Sequence, residues 1–486
     1  MDGVGALDSL GAVAEEAAEL LGSGGHSVVA YEGMLEALVR WCGRDRAGLG
    51  AALRPVMEPY GHFRPRSQAG RRLLTVMRSA TELVVPEPPA GDGRGRWLET
   101  CQHEAVRLVL NSRVEELCER LRHGGAPPML LATASRESGA LDPYDLVMRL
   151  TEYEQAGVRP GPADLGQALL RCGGGPADPD VVRAAEQLTL PEGARVAAWL
   201  RAGGLPQPGW SREQEPGAPE RPSRRRGARV GRRVLVGTGA LEGRGEFPRT
   251  FWPLFRPFEP LIGCNHLLLD HRERHAAAAL PWHPEIVAAR LLTEVAAAAD
   301  QGGEGGPEFL PALAGSAGPP GPAVHLALAY GLASAHAGDR EAAVRAVLHL
   351  AARGRLDGEL LGREMAQLAL LGTVKVPVVT ASLAAAAGPP GAPDGSGGPG
   401  APGGLGAGGA AAVWPVLAAA LPPLLAALRT GTLGRVPPAL LDLAADCARH
   451  SAARGPIAEV TALAQRPGSA QSVRAARRLR DQLAGG

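Results

Sequence analysis

Residues 140–204 repeat one signal four times, and it constrains the fold more than any other feature of the chain. The stretches are "LDPYDLVMRLTEYEQAG", "PGPADLGQALLR", "ADPDVVRAAEQL" and "PEGARVAAWLRAGG". In the first, Asp142 is placed to cap a helix, Pro143 suits its first position, and Asp145 adds charge that favours the first turn. Gly157 ends it. The same grammar recurs at Gly161, Pro162 and Asp164, and again at Asp178 and Pro179. Gly203 and Gly204 close the series. A chain written this way predicts short helices joined by tight turns, the manner of helical-repeat arrays.

The rest of the sequence points the same way. Apolar residues make up 45% but aromatics only 4%, so Ala and Leu supply the apolar content and isoleucine is scarce. Strong helix formers with few β-branched residues favour helices. Residues 5–22 and 27–42 read as amphipathic helices, with Val29, Met34, Leu35, Leu38, Val39 and Trp41 near one face of the second. A Pro/Gly-rich stretch at 86–95 precedes a long helix that ends at Gly124.

Helices return at 284. The pair 338–371 has the size of a HEAT repeat, with Asp339 and Asp357 as caps and Gly354 and Gly372 as stops. Helices 412–428, 437–452, 456–465 and 469–483 complete the chain. The fold class expected is therefore all-α, a HEAT-like α-solenoid of two lobes, 1–204 and 284–486. Between them, 205–232 reads as a linker or exposed loop, and 232–258 has room for a short strand. The whole of 205–283 is taken as linker and irregular segment. Low-complexity 388–411 reads as a disordered insertion.

The formal net charge of +1 gives no global field towards nucleic acid or a membrane. Six scattered cysteines without a CxxC pair suit free thiols in a reducing compartment. The N-terminus has no signal-peptide pattern. The most apolar run, 410–428, is interrupted by three prolines, so a cytoplasmic location is expected.

Four stretches suggest chemistry. "IGCNHLLLDHRERH" at 262–275 brings Cys264, His266, His271 and His275 together, a donor set that could satisfy tetrahedral zinc. Only the second half has knuckle spacing, and Arg272 and Arg274 would oppose a cation. The preferred reading is a partly exposed helix, Leu267 to Ala279, with its His and Arg side chains in water. Gly237, Gly239 and Gly243 resemble a dinucleotide loop, but the third glycine is a residue late and no helix follows, so a glycine turn is preferred. The arginine run 221–233 could bind phosphate, yet Glu213, Glu215 and Glu220 lie beside it and few aromatics do. Thr133, Ser135 and Ser138 in "TASRES" lack a nucleophile elbow. Trp199 and Trp282 read as core anchors.

Several stretches resemble a known family. "MLLATASRESGALDPYDLVMRLTEYEQAGVRPGPADLGQALLR", "VVRAAEQL", "VAAWLRAGGLP", "HPEIVAARLLTEVAAAAD" and "LALAYGLASAHAGDREAAVRAVLHLAARGRLDGELLGREMAQLALLGTVKV" are similar to a group of uncharacterised proteins of high-GC bacteria, labelled a domain of unknown function. The resemblance runs from about residue 27 to the end and matches the C-terminal half of longer relatives. It implies a HEAT-like helical-repeat protein with no catalytic residue. Relatives are often encoded beside MoxR-type AAA ATPases, von Willebrand A proteins and SWIM zinc-finger proteins, which implies a scaffold or adaptor in a chaperone-like or conflict system. The chain departs from the family at 262–275 and 388–411.

The function expected is a non-enzymatic protein-binding scaffold with no cofactor. The alternative is an accessory protein that binds metal or nucleic acid through residues 221–275.

Overall fold

A computed structural model describes residues 7–23, 27–65, 67–81, 104–123, 125–215, 232–260, 275–302, 309–388 and 407–485. It is predominantly helical. The first helices are α1 (Leu10–Ser23), α2 (Val28–Arg44), α3 (Arg46–Met57), α4 (Gln68–Ala80) and α5 (Ala105–Arg122). Next come α6 (Pro143–Gln155), α7 (Pro162–Arg171), α8 (Pro179–Glu186) and α9 (Pro191–Ala202). A two-stranded antiparallel pair follows, β1 (Trp210–Glu215) and β2 (Arg233–Thr238), with Trp210 opposite Thr238. Short helices α10 (Trp252–Phe255) and α11 (Ala276–Ala279) lead to α12 (Pro284–Gln301), α13 (Leu310–Gly315) and α14 (Pro322–Leu332). The C-terminal part holds α15 (Ala337–Ala352), α16 (Gly358–Leu370), α17 (Val376–Ala387), α18 (Ala407–Thr430), α19 (Pro438–His450), α20 (Ala458–Ala464) and α21 (Gln471–Ala484).

The caps act where the grammar places them. The Asp142 carboxylate accepts from the Tyr144 amide at 2.9 Å, and Asp178 accepts from Asp180 at 2.8 Å. Asp357 accepts from Leu360 at 2.8 Å. The stop glycines Gly157, Gly203, Gly354 and Gly372 all have positive φ, the left-handed turn that glycine adopts without strain. Asp339 is different. Helix α15 starts earlier, at Ala337, so Asp339 sits inside the first turn, buried, and accepts from Ser334 Oγ at 3.0 Å.

Two hydrophobic clusters form the main core. The smaller one joins α1–α4 to the second half of α5, through Val114, Leu117, Cys118 and Leu121. The larger gathers residues from Ala105 through to Leu483. The larger cluster includes residues on both sides of the expected boundaries at 204 and 284, and the two clusters meet along α5. The short strand for which 232–258 has room is β2, and it enters the larger core. Strand β2 is buried along its whole length, and the Tyr330 hydroxyl of α14 both accepts from and donates to Val234, at 2.9 and 3.0 Å. Phe247, Phe251 and Phe255 are buried, with Trp199 of α9 edge-on to Phe247 at 5.4 Å. Apolar side chains at alternate and short spacings sufficed to draw this segment into the core.

Helix α18 starts at Ala407, inside the expected insertion, and continues through Pro415, Pro422 and Pro423. The segment 389–406 lies outside the described residues, as do 86–95 and Gly124. Among the described residues, Gly408–Thr430 is the one helix long and apolar enough to cross a membrane, with a mean hydropathy of 1.9. It contains the expected helix 412–428. In the structure it is one helix whose Val413, Val416, Leu417, Leu421 and Leu424 are buried in the protein core.

Candidate functional site

Of the four proposed zinc ligands, Cys264, His266 and His271 lie outside the described residues. His275 is described and is 3% exposed, which corrects its expected place in water. Its ring lies edge-on to Tyr31 at 4.8 Å, so it packs across onto α2. Among the described residues no three His, Cys, Asp or Glu side chains are grouped to hold a metal ion. Of the arginine run, 221–231 lies outside the described residues. Arg233 is buried and forms a two-pronged ion pair with Asp300, at 2.7 and 2.8 Å. After Gly243 comes a 3-10 turn, Arg244–Glu246, as a plain glycine turn would have it.

The "TASRES" hydroxyls serve their own loop. Thr133 donates to Glu36 at 3.2 Å, and Ser135 donates to Asp145 at 2.5 Å. Ser138 accepts from the Ala140 amide. This loop is strapped from several sides. Leu130 donates to Glu36 at 2.9 Å, Leu131 donates to Asp164 at 2.6 Å, and Tyr153 donates to the Met129 carbonyl at 2.6 Å. Arg149 donates to the carbonyls of Leu131 and Thr133. Gly139, at φ +87°, rests on the backbone of Ala278, where any Cβ would overlap it.

Beneath the strap lies a buried ionic cluster. Arg113 donates to both Glu32 oxygens, at 2.9 and 2.7 Å, and to Asp164 at 2.7 Å. Arg171 donates to Glu32 at 2.8 Å and to the carbonyls of Ala132 and Ala278. Burial alone would raise the Glu32 carboxyl; the two guanidiniums outweigh it and hold it at about 2. Two acids against two arginines leave no net charge, and every side chain is under a tenth exposed. The arrangement joins α2, α5 and α7. It offers a substrate no entry, so its role is to lock the strap in place. Sequence reasoning placed Asp164 only at a helix start and missed Glu32, Arg113 and Arg171, because pairing across the fold leaves no local pattern. The Trp199 and Trp282 indoles finish α7, donating to the carbonyls of Leu169 and Arg171 at 2.8 and 3.0 Å.

Among the described residues, an open concavity lies elsewhere, between α16 and α18. It measures about 770 Å³ and is lined by Glu359, Arg363, Ala366, Gln367, Leu370, Pro415, Ala418, Ala419 and Pro423. Glycines set its floor. A Cβ at Gly362 would overlap the Val416 carbonyl oxygen, and one at Gly358 would press on Pro415. The two helices therefore approach closely, and small side chains leave a trough above them. Pro423 has no N–H, so the Ala419 carbonyl four residues earlier has no helical donor. Both residues line the trough. Its polar lining is Glu359, paired with Arg363, and Gln367, which accepts from Arg212; Arg212 also pairs with the buried Glu364 at 2.5 and 2.6 Å. The trough is mainly apolar, with Glu359, Arg363 and Gln367 as its polar side chains.

Neither thiols nor imidazoles gather there. The buried thiols Cys118, Cys172 and Cys447 are pushed up by burial, away from the reactive thiolate. No family model, curated protein or solved structure matches the chain.

Proposed function

We propose that this chain is a non-enzymatic, cytoplasmic scaffold whose helices stack as a HEAT-like α-solenoid and whose α16/α18 trough docks a segment of another protein. One observation carries the reading: the α16/α18 trough is apolar and opens to solvent, while the ionic cluster of Glu32, Arg113, Asp164 and Arg171 is buried and paired. Stacked helices that bury their apolar faces on one another leave extended surfaces of this kind. The family resemblance supports a partner of the MoxR-type AAA ATPase or von Willebrand A class.

A photo-crosslinker at Ala418 in the full chain tests it. The expected result is capture of a defined partner that is lost when Ala419→Arg fills the trough while the helical signal and melting temperature hold. A partner captured equally by both forms, or none at all, overturns the reading.

A further inference from the structure

We propose that loop 58–65, with α3 and α4 behind it, is a second docking surface, for an acidic segment of a partner protein that also carries apolar side chains. Residues 44–81 hold eight arginines against Asp45 and Glu58, in a chain whose net charge is only +1. Two of these arginines turn inward. Arg46 donates to Cys42 Sγ and the Leu121 carbonyl, and Arg72, buried, donates to Asn111 at 2.8 Å. Arg44, Arg54 and Arg64 are exposed, and Arg71 and Arg78 are half-buried.

The last two pin the loop. Arg71 donates to the Pro65 carbonyl and Arg78 to the Tyr60 carbonyl, each at 3.0 Å. Pro59 fixes the 3-10 turn at one end, and Pro65 is buried at the other. Held at both ends, the loop presents Phe63 at 73% exposure, the most exposed of the large apolar side chains described. His62 and Arg64 flank it. An aromatic side chain held outside the core on a loop that two guanidiniums pin, with exposed Arg64 next to it, is the anchor arrangement of a protein interface: the backbone ordering cost is already met before binding.

The charge selects the partner. Guanidiniums pair with carboxylates by two parallel hydrogen bonds, and Phe63 needs an apolar side chain to cover it. Single-stranded nucleic acid fits less well. A stacking platform for successive bases uses several large rings, and on this loop Phe63 is the one exposed phenyl or phenol ring, Tyr60 being half-buried. Glu58, also exposed, would repel a phosphate chain, whereas a peptide can meet it with a base.

This surface rests on the scaffold reading only in taking the ligand to be a protein; it lies on different elements from the trough. The test is fluorescence anisotropy with the full chain and a labelled peptide alternating Glu or Asp with Leu. Its counterpart with Lys for the acids, an oligo-dT strand, and phosphatidylserine-containing vesicles are run in parallel. The acidic peptide is expected to bind saturably, more weakly as salt rises. Phe63→Ala and Arg64→Glu should each weaken it about tenfold without lowering the melting temperature, since both residues are exposed. No saturable binding, equal binding by both variants, or tighter binding of oligo-dT or vesicles overturns the proposal. Loss of the peptide in Ala419→Arg alone places it in the trough, which sinks this surface and leaves the scaffold reading standing.

Discussion

Glu32 holds two arginines that arrive from far along the chain, 81 and 139 residues away. Removing it leaves both guanidiniums buried without their shared carboxylate. Glu32→Ala should cost roughly 3–5 kcal/mol, read by urea denaturation at neutral pH. Because the folded state depresses this carboxyl to about 2, its stabilisation is present above the unfolded value of 4.5 and fades as pH falls between the two. His283 adds a separate acid sensitivity. Burial lowers it to about 4 in spite of its hydrogen bond to the Leu205 carbonyl at 2.8 Å. The neutral ring is the one that fits, so stability on the order of 3 kcal/mol is present above about 6.5 and lost as pH drops towards 4. Denaturation midpoints measured across that range should show a slope that His283→Leu flattens.

At the scale of elements, α16 and α18 depend on missing side chains. Gly362→Ala would push a methyl group into the Val416 carbonyl and force the helices apart. The expected cost is about 1–3 kcal/mol in thermal or chemical melts. Gly338→Ala is the control. It stands in the first turn of α15 with no atom within 4 Å of its would-be Cβ, so it should be neutral or stabilise by up to about 1 kcal/mol. Helix ends were legible in the sequence wherever a cap acts on a neighbour: Asp142, Asp178 and Asp357 each bind an amide two or three residues on. Strand β1 was not legible. "WSREQE" is polar, and it is a strand because β2 lies beside it. Helix α18 contains the expected helix 412–428, where core packing on one side outweighs the amides its prolines lack.

For the whole molecule, the larger cluster ties residues before 204 to the segment after it. A fragment of residues 1–204 keeps α7 and α9 but loses Phe247 and Phe251, which cover Trp199 and Gly166. It also loses Ala278, which receives Arg171. Such a fragment should bind a hydrophobic dye and melt without a sharp near-ultraviolet transition. A cooperative melt would instead restore an independent lobe ending at 204. The trough belongs to this scale as well, since it exists only where α16 and α18 meet.

The sequence by itself determined that the chain is helical and where many helices start and stop, because propensity, caps and left-handed glycines act within a turn of themselves. Tertiary structure alone decided which charges are buried together, that the central segment joins the core, and where an open apolar surface remains. Those outcomes depend on pairings across tens to more than a hundred residues. A guanidinium that will face a carboxylate in the core is written no differently from one that will face water.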